Sequence, residues 1–233
     1  MQMRIRVHVI IFLPIVLVCG IVSNIFPVIE FGLSTFGKAS AVSSSVLKEK
    51  GKPENYYAPD KAIDGKPETA WCQGKKNNGI GEYINIRFSP VFTTAIHILN
   101  GYGADKNLYY SNNRIKGYEL KVTFKDGTSM IKRGELKDHK CLSRYDDKPG
   151  SNHRCRWQVD PDYDDQPDVL VDFGMDSPKC VTALKIKILS VYPGKRFSDT
   201  CIAEISPIWD GAWGTVVPDF HKKKKACCGN SGQ

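Results

Sequence analysis

Polar and apolar residues alternate along much of the chain from residue 82 to residue 206. In Glu82-Tyr83-Ile84-Asn85-Ile86-Arg87-Phe88 the side chains of Ile84, Ile86 and Phe88 share one face, the period of a half-buried strand. Ser89-Pro90 reads as a turn. Residues 92–99 then form a second strand, with Ala95, Ile96, Ile98 and Leu99 as its apolar positions and His97 among them. Tyr118, Leu120, Val122 and Phe124 alternate again, and Lys125-Asp126-Gly127-Thr128 is a hairpin turn leading into a strand that runs to Leu136. Strands resume over 169–173, 181–191 and 199–206. Short polar turns join them and no convincing helical period intervenes. The pattern predicts an antiparallel all-β sandwich.

The segments that break the pattern set the boundaries. Arg4 and Arg6 precede an apolar run over residues 7–28, which reads as a secretory signal. Ala39-Ser40-Ala41 is an A-x-A cleavage pattern, giving 1–41 as a signal peptide and Val42 as the mature start. An apolar run of that length also suits an uncleaved N-terminal membrane anchor. Residues 42–53 are Ser- and Lys-rich and read as a linker, with the domain itself over 54–206. Residues 207–233 form a C-terminal tail rich in Lys and Cys, with Trp209 and Trp213 ahead of Lys222 to Lys225.

Charge narrows the partners. Half of the net charge of +8 lies in the two end segments, and the body is close to balanced. Without a basic stripe interleaved with aromatics, nucleic acid is not an expected partner. A membrane is met only through the N-terminal segment. The sequence carries no G-x-S-x-G, no H-E-x-x-H and no P-loop, so the chain is not expected to be an enzyme.

Three stretches carry candidate chemistry. In Tyr57 to Gly74 the turn formers Pro59, Asp60, Gly65 and Pro67 surround Asp64, and Thr69-Ala70-Trp71 returns the chain to the core. A folded-back loop of this kind either aims several oxygens at a hard cation or is a surface turn with a solvated Asp. Asn100 to Arg114 is a long loop that mixes tyrosines with amides and bases, suited either to ligand binding or to covering the sheet. Residues 138–167 hold His139, Cys141, His153, Cys155 and an acidic run. The two His-x-Cys steps match no common zinc spacing, and in an exported chain a Cys141–Cys155 disulfide is the expectation.

Ala62-Ile63-Asp64-Gly65, with Thr69 and Trp71 after it, resembles the loop of discoidin-like, galactose-binding-like domains. With Gly79-Ile80-Gly81-Glu82, Asn100-Gly101-Tyr102, Asn112-Asn113-Arg114-Ile115-Lys116, Val191-Tyr192-Pro193-Gly194 and Asp199-Thr200-Cys201-Ile202, the chain resembles the glycan-binding domain of the NAD glycohydrolase translocation type. The resemblance implies a jelly-roll β-sandwich and an exported, non-catalytic carbohydrate-binding module that is secreted, periplasmic or attached to the cell envelope. Residues 138–167 stand as an insertion in that pattern. The alternative reading is a bacterial envelope or secreted adhesin whose receptor is a protein.

The resemblance also implies a structural calcium. Its ligands would be the carbonyls of Lys61, Lys66 and Ala203 and the side chains of Asp64, Thr69 and Glu204. If Thr69 and Glu204 share an ion, Cys72 and Cys201, each three residues away, are expected to meet as a disulfide. For the glycan, loops at one end of the sandwich are expected to offer Tyr102, Tyr110 and Tyr192 as ring platforms. Asn100, Asn112, Asn113, Arg114, Lys195 and Asp199 are the expected hydrogen-bonding groups.

Overall fold

The computed structural model describes residues 36–141, 168–174, 177–208 and 220–229. The apolar N-terminal run, His153, Cys155, residues 160–167 of the acidic run, Trp209 and Trp213 lie outside them. In chain order the strands are β1 (Ala39–Ser43), β2 (Trp71–Cys72), β3 (Tyr83–Thr93), β4 (Ala95–Asn100), β5 (Arg114–Ile115), β6 (Gly117–Phe124) and β7 (Ser129–Glu135). They continue as β8 (Asp168–Asp172), β9 (Lys179–Ile188), β10 (Val191–Tyr192) and β11 (Cys201–Ile208), with helices α1 (Lys106–Ser111) and α2 (Phe220–Cys228).

The strands form a five-stranded sheet ordered β1-β3-β9-β6-β7 and a four-stranded sheet ordered β2-β11-β4-β8, with β10 and β5 paired separately. Every pairing between these strands is antiparallel. The alternation seen in the sequence becomes the inner face of the larger sheet. Ile84 and Ile86 of β3, Leu120 and Val122 of β6, and Leu184 and Ile186 of β9 join one buried cluster with Ile96, Ile98, Leu170, Ile202 and Ile205 of the facing sheet. Each such side chain, taken out of water, contributes about 1.5–3 kcal/mol. Trp71 is fully buried in the same cluster.

Three local features differ from the pattern reading. Ser89-Pro90 does not end a strand: β3 runs through it, with a break in register between Arg87 and Val91. A bulge accommodates Pro90 because the ladder there needs no proline N–H. The long loop contains α1, whose N-terminus is capped by the Asp105 side chain accepting from the Leu108 N–H at 2.7 Å. The segment before residue 54 takes part in the fold. β1 pairs with β3 from Ala39 opposite Phe88 to Ser43 opposite Ile84, and the hydroxyls of Ser44 and Ser45 both donate to Glu82 Oε2. Just ahead of β1, the Phe36 ring is buried and stacked on Phe88 at 4.2 Å between centroids.

The C-terminal segment is also fastened. A Cys180–Cys227 disulfide ties α2 to β9, and Lys125 Nζ donates to the carbonyls of Ala226 and Cys227 at 2.7 and 2.8 Å. A cation at the last turn of a helix meets carbonyls that have no partner within the helix. Cys228 is a thiol.

Candidate functional site

The Asp64 loop is held by oxygens gathered around one hydroxyl. Thr69 Oγ1 lies 2.8 Å from Asp64 Oδ1, 2.9 Å from the Lys66 carbonyl and 3.3 Å from the Lys61 carbonyl. Glu204, on β11, reaches the same loop: its Oε2 accepts from the Gly65 N–H at 3.0 Å. Its Oε1 is buried and has no hydrogen-bond partner among the described residues. Burial pushes the Glu204 carboxyl up to about 8, the Gly65 N–H pulls it partly back, and the nearby Asp64 pushes it up again. Ala203 precedes Glu204 in the strand and is fully buried.

This set fits a hard cation. Four expected donor oxygens, those of Lys61, Asp64, Lys66 and Thr69, converge, and a buried carboxylate oxygen beside them lacks a counter-charge. The donors are two carboxylates, carbonyls and a hydroxyl, and among the described residues no group of three or more His, Cys, Asp or Glu is assembled. Lys61 Nζ, 3.7 Å from Asp64 Oδ2, supplies part of the positive charge this loop needs.

On β2 and β11, Cys72 and Cys201 stand directly opposite each other and are joined by a disulfide. Cys141 is also disulfide-bonded, and Cys155, its expected partner, lies outside the described residues. His139 Nε2 is 3.1 Å from Asp168 Oδ1, so His139 and Cys141 are both engaged elsewhere than in a zinc site.

The residues expected to bind a glycan fall into three groups. Asn100, Asn112 and Asn113 are buried and tied to backbone. Asn100 exchanges two bonds with Ile115, its Nδ2 donating at 2.7 Å and its Oδ1 accepting at 2.8 Å. Asn112 Nδ2 donates to the Leu108 carbonyl. Asn113 donates to the Ser198 carbonyl and accepts from the Gly194 N–H at 2.6 Å. Arg114 belongs to this frame as well: it is 5% exposed. Its Nε and Nη2 grip the Asp138 carboxylate at 2.6 and 3.2 Å, while Nη1 donates to the carbonyls of Tyr109 and Asn112.

Tyr102 and Asp199 form the second group. Tyr102 is 5% exposed, its ring edge-on to Tyr57 at 6.0 Å, in a small cluster with Cys72 and Cys201. A ring that deep is packing material and offers no platform to a ligand. Asp199 is half-buried, and burial first, then the Glu49 carboxylate, raises its carboxyl.

Tyr110, Tyr192 and Lys195 form the third. α1 turns Tyr109 inward and Tyr110 outward, so Tyr109 is buried and Tyr110 half-buried. The loop 194–199 is stitched across the end of that helix: the N–H of Lys195 donates to the Tyr110 carbonyl, and those of Arg196 and Phe197 donate to the Ser111 carbonyl. The approach is so close that a Cβ on Gly194 would sit 2.3 Å from the Ser111 carbonyl oxygen, which only glycine avoids. This stitching presents Lys195, Arg196 and Phe197 to solvent, Phe197 being 43% exposed. Lys195 Nζ stands 5.6 Å from the Tyr110 ring centre and Lys116 Nζ 5.9 Å from that of Tyr192. The Arg196 guanidinium is 5.4 Å from the Phe197 ring. Lys116, Arg196 and Phe197 were not among the expected site residues. Lys116 closes the Asn112 to Lys116 motif, and Arg196 and Phe197 follow Lys195 in the stretch between the Val191 to Gly194 and Asp199 to Ile202 motifs, so closeness to expected residues is their signal in the sequence.

Residues 34–207 match the family described as the NAD glycohydrolase translocation F5/8 type C domain. The chain belongs to this family. Among solved structures, this F5/8 type C domain is similar to a fragment of a putative chitobiase from Bacteroides thetaiotaomicron, with a TM-score of 0.50 at 9% identity, covering 77% of this chain and 95% of that one. It is also similar to CBM32-3 of a family 31 glycoside hydrolase from Clostridium perfringens, with a TM-score of 0.47 at 12% identity, covering 76% and 96%. A third is an F5/8 type C domain from Bacteroides fragilis, with a TM-score of 0.43 at 18% identity, covering 76% and 95%. The chitobiase fragment and the family match agree on a β-sandwich of the discoidin type, the fold found here. A comparison with curated proteins gives no match.

Proposed function

We propose that this domain is an exported, non-catalytic carbohydrate-binding module. The observation that carries the reading is the group of part-exposed rings, Tyr110, Tyr192 and Phe197, set among cations on loops held rigid by buried amides. Sugars expose apolar C–H faces bordered by hydroxyls, and a site for them needs aromatic surface plus a few fixed polar groups. Its rings are fixed from below: Tyr192 Oη donates to the Leu136 carbonyl at 3.0 Å, and Tyr110 Oη accepts from the Cys141 N–H at 3.1 Å. Membership in the family and the carbohydrate-related sandwiches of similar fold support the same reading. Disulfides at Cys72–Cys201 and Cys180–Cys227 support export, because such bonds persist in oxidising compartments. A calcium held by Asp64, Thr69, Glu204 and the carbonyls of Lys61, Lys66 and Ala203 has a structural role in this reading. It would neutralise the paired carboxylates and lock the loop to β11.

A glycan array with the disulfide-intact protein tests the proposal. Binding is expected, and Phe197→Ala should weaken it about tenfold, which is about 1.4 kcal/mol, with the melting temperature unchanged. Phe197 is the variant of choice because its side chain is exposed, whereas Tyr102 and Arg114 are buried and their loss would disturb the fold. Absence of binding to any glycan, with capture of a protein receptor instead, would move the adhesin reading ahead.

A further inference from the structure

The third group of residues is unusual in what it lacks. Asn100 and Asn113 spend both ends of their amides on backbone groups, and the Asn112 amide nitrogen donates to the Leu108 carbonyl. The carboxylate nearest Arg114, Asp138, is gripped by that guanidinium at both oxygens. The charged ends beside the exposed rings are Lys116, Lys195 and Arg196. None of these three is in an ion pair among the described residues. Ammonium and guanidinium groups only donate. A neutral sugar hydroxyl both donates and accepts, so it would leave donor capacity unmatched on such a surface. A carboxylate or sulfate supplies acceptors and the missing negative charge together.

The electrostatics of the neighbourhood agree. Arg114 and Asp138 cancel, and the other carboxylates acting on Tyr192 are Glu135 and Asp168, the latter bonded to His139, against the three cations at the rings. The cations lie over ring faces, a placement in which each keeps its charge available while its stem covers apolar surface.

Resting on the carbohydrate reading above, we propose that the ligand of this face is an acidic sugar, its carboxylate or sulfate held by Lys195, Arg196 and Lys116 against the rings of Tyr110, Tyr192 and Phe197. The test uses the disulfide-intact protein on matched glycan pairs: uronate polymers with their carboxyl-reduced forms, and sulfated chains with their desulfated forms. Binding should be confined to the acidic member of a pair and fall at least tenfold between low and 0.5 M salt. The double variant Lys195→Gln, Arg196→Gln should lose at least tenfold in affinity with an unchanged melting temperature, because both side chains are exposed. Which pair responds tells carboxylate from sulfate. Equal binding to both members of every pair overturns the inference and leaves the carbohydrate reading standing. Equal binding to inorganic polyphosphate also overturns it, since the surface would then be a plain ion exchanger. No binding to any glycan overturns both. A double variant that binds an acidic glycan like the original removes the site from this face.

Discussion

His97 shows how one residue's surroundings set a property of the whole chain. It sits in β4 opposite Ser206 of β11 and Val169 of β8. Burial pushes its imidazole down to about 4, against a smaller opposing pull from Asp172 and Asp168. The unfolded chain takes up this proton near pH 6.5 and the folded chain only near pH 4. Between those values the unfolded state holds more protons, so stability falls as pH falls through this window. At full effect the loss is about 3 kcal/mol. We expect the urea midpoint of the native protein to drop between pH 7 and pH 4.5 by more than that of His97→Gln, measured in parallel. Identical pH profiles for the two proteins would assign the acid sensitivity to other groups.

At the scale of elements, β1 decides where the folded domain starts. Ala39-Ser40-Ala41 reads in the sequence as a cleavage pattern, yet these residues pair with Phe88, Arg87 and Ile86 along the edge of the larger sheet. A chain beginning at Val42 would also lack Phe36, whose ring is 2% exposed against Phe88. Losing a buried aromatic costs about 3–5 kcal/mol. For a domain of this size that corresponds to a melting temperature lower by on the order of 10 °C. We therefore expect a protein beginning at residue 34 to melt well above one beginning at Val42. N-terminal sequencing of the protein isolated from its native source should give a start at or before Phe36. Equal melting temperatures, or a native start at Val42, would show that β1 adds nothing the domain needs.

For the whole molecule, calcium is the natural lever, because its expected ligands join residues far apart in sequence. Asp64 and Thr69 lie on one loop and Glu204 on the last strand of the sheet, bridged in the structure by the Gly65 N–H to Glu204 Oε2 contact. An ion bound by the folded state alone stabilises it by mass action, about 2.7 kcal/mol at a concentration a hundredfold above Kd. Removing calcium with EGTA should lower the melting temperature by about 5–10 °C, and calcium in excess should restore it. Glu204→Gln should abolish the response to EGTA. A melting temperature indifferent to EGTA, with no metal found by elemental analysis, would leave the Glu204 carboxyl protonated in its buried setting.

The sequence by itself determined the sandwich. Alternation has a period of two and each strand shows it locally, so Ile84, Ile86, Leu120, Val122, Leu184 and Ile186 could be placed on one buried face without knowing their neighbours. It also marked the Asp64 loop, since turn chemistry is local. Local signals for α1 and β1 were present but short: Asp105 is a cap before only six helical residues, and β1 is an edge strand of small and polar side chains. Only the tertiary structure decided which residues of the Asn100 to Arg114 stretch are frame and which are surface. Tyr102 and Tyr110 look alike in sequence. One is packed against Tyr57, and the other is turned outward by a helix whose end is pinned by the 194–199 loop. Asn113 and Arg114 read as ligand-binding groups because amides and guanidinium groups bind ligands. Whether their bonds go to a sugar or to Ser198, Gly194 and Asp138 depends on chain segments up to 85 residues away. Burial and hydrogen-bond satisfaction are properties of the assembled fold, and no local pattern carries them.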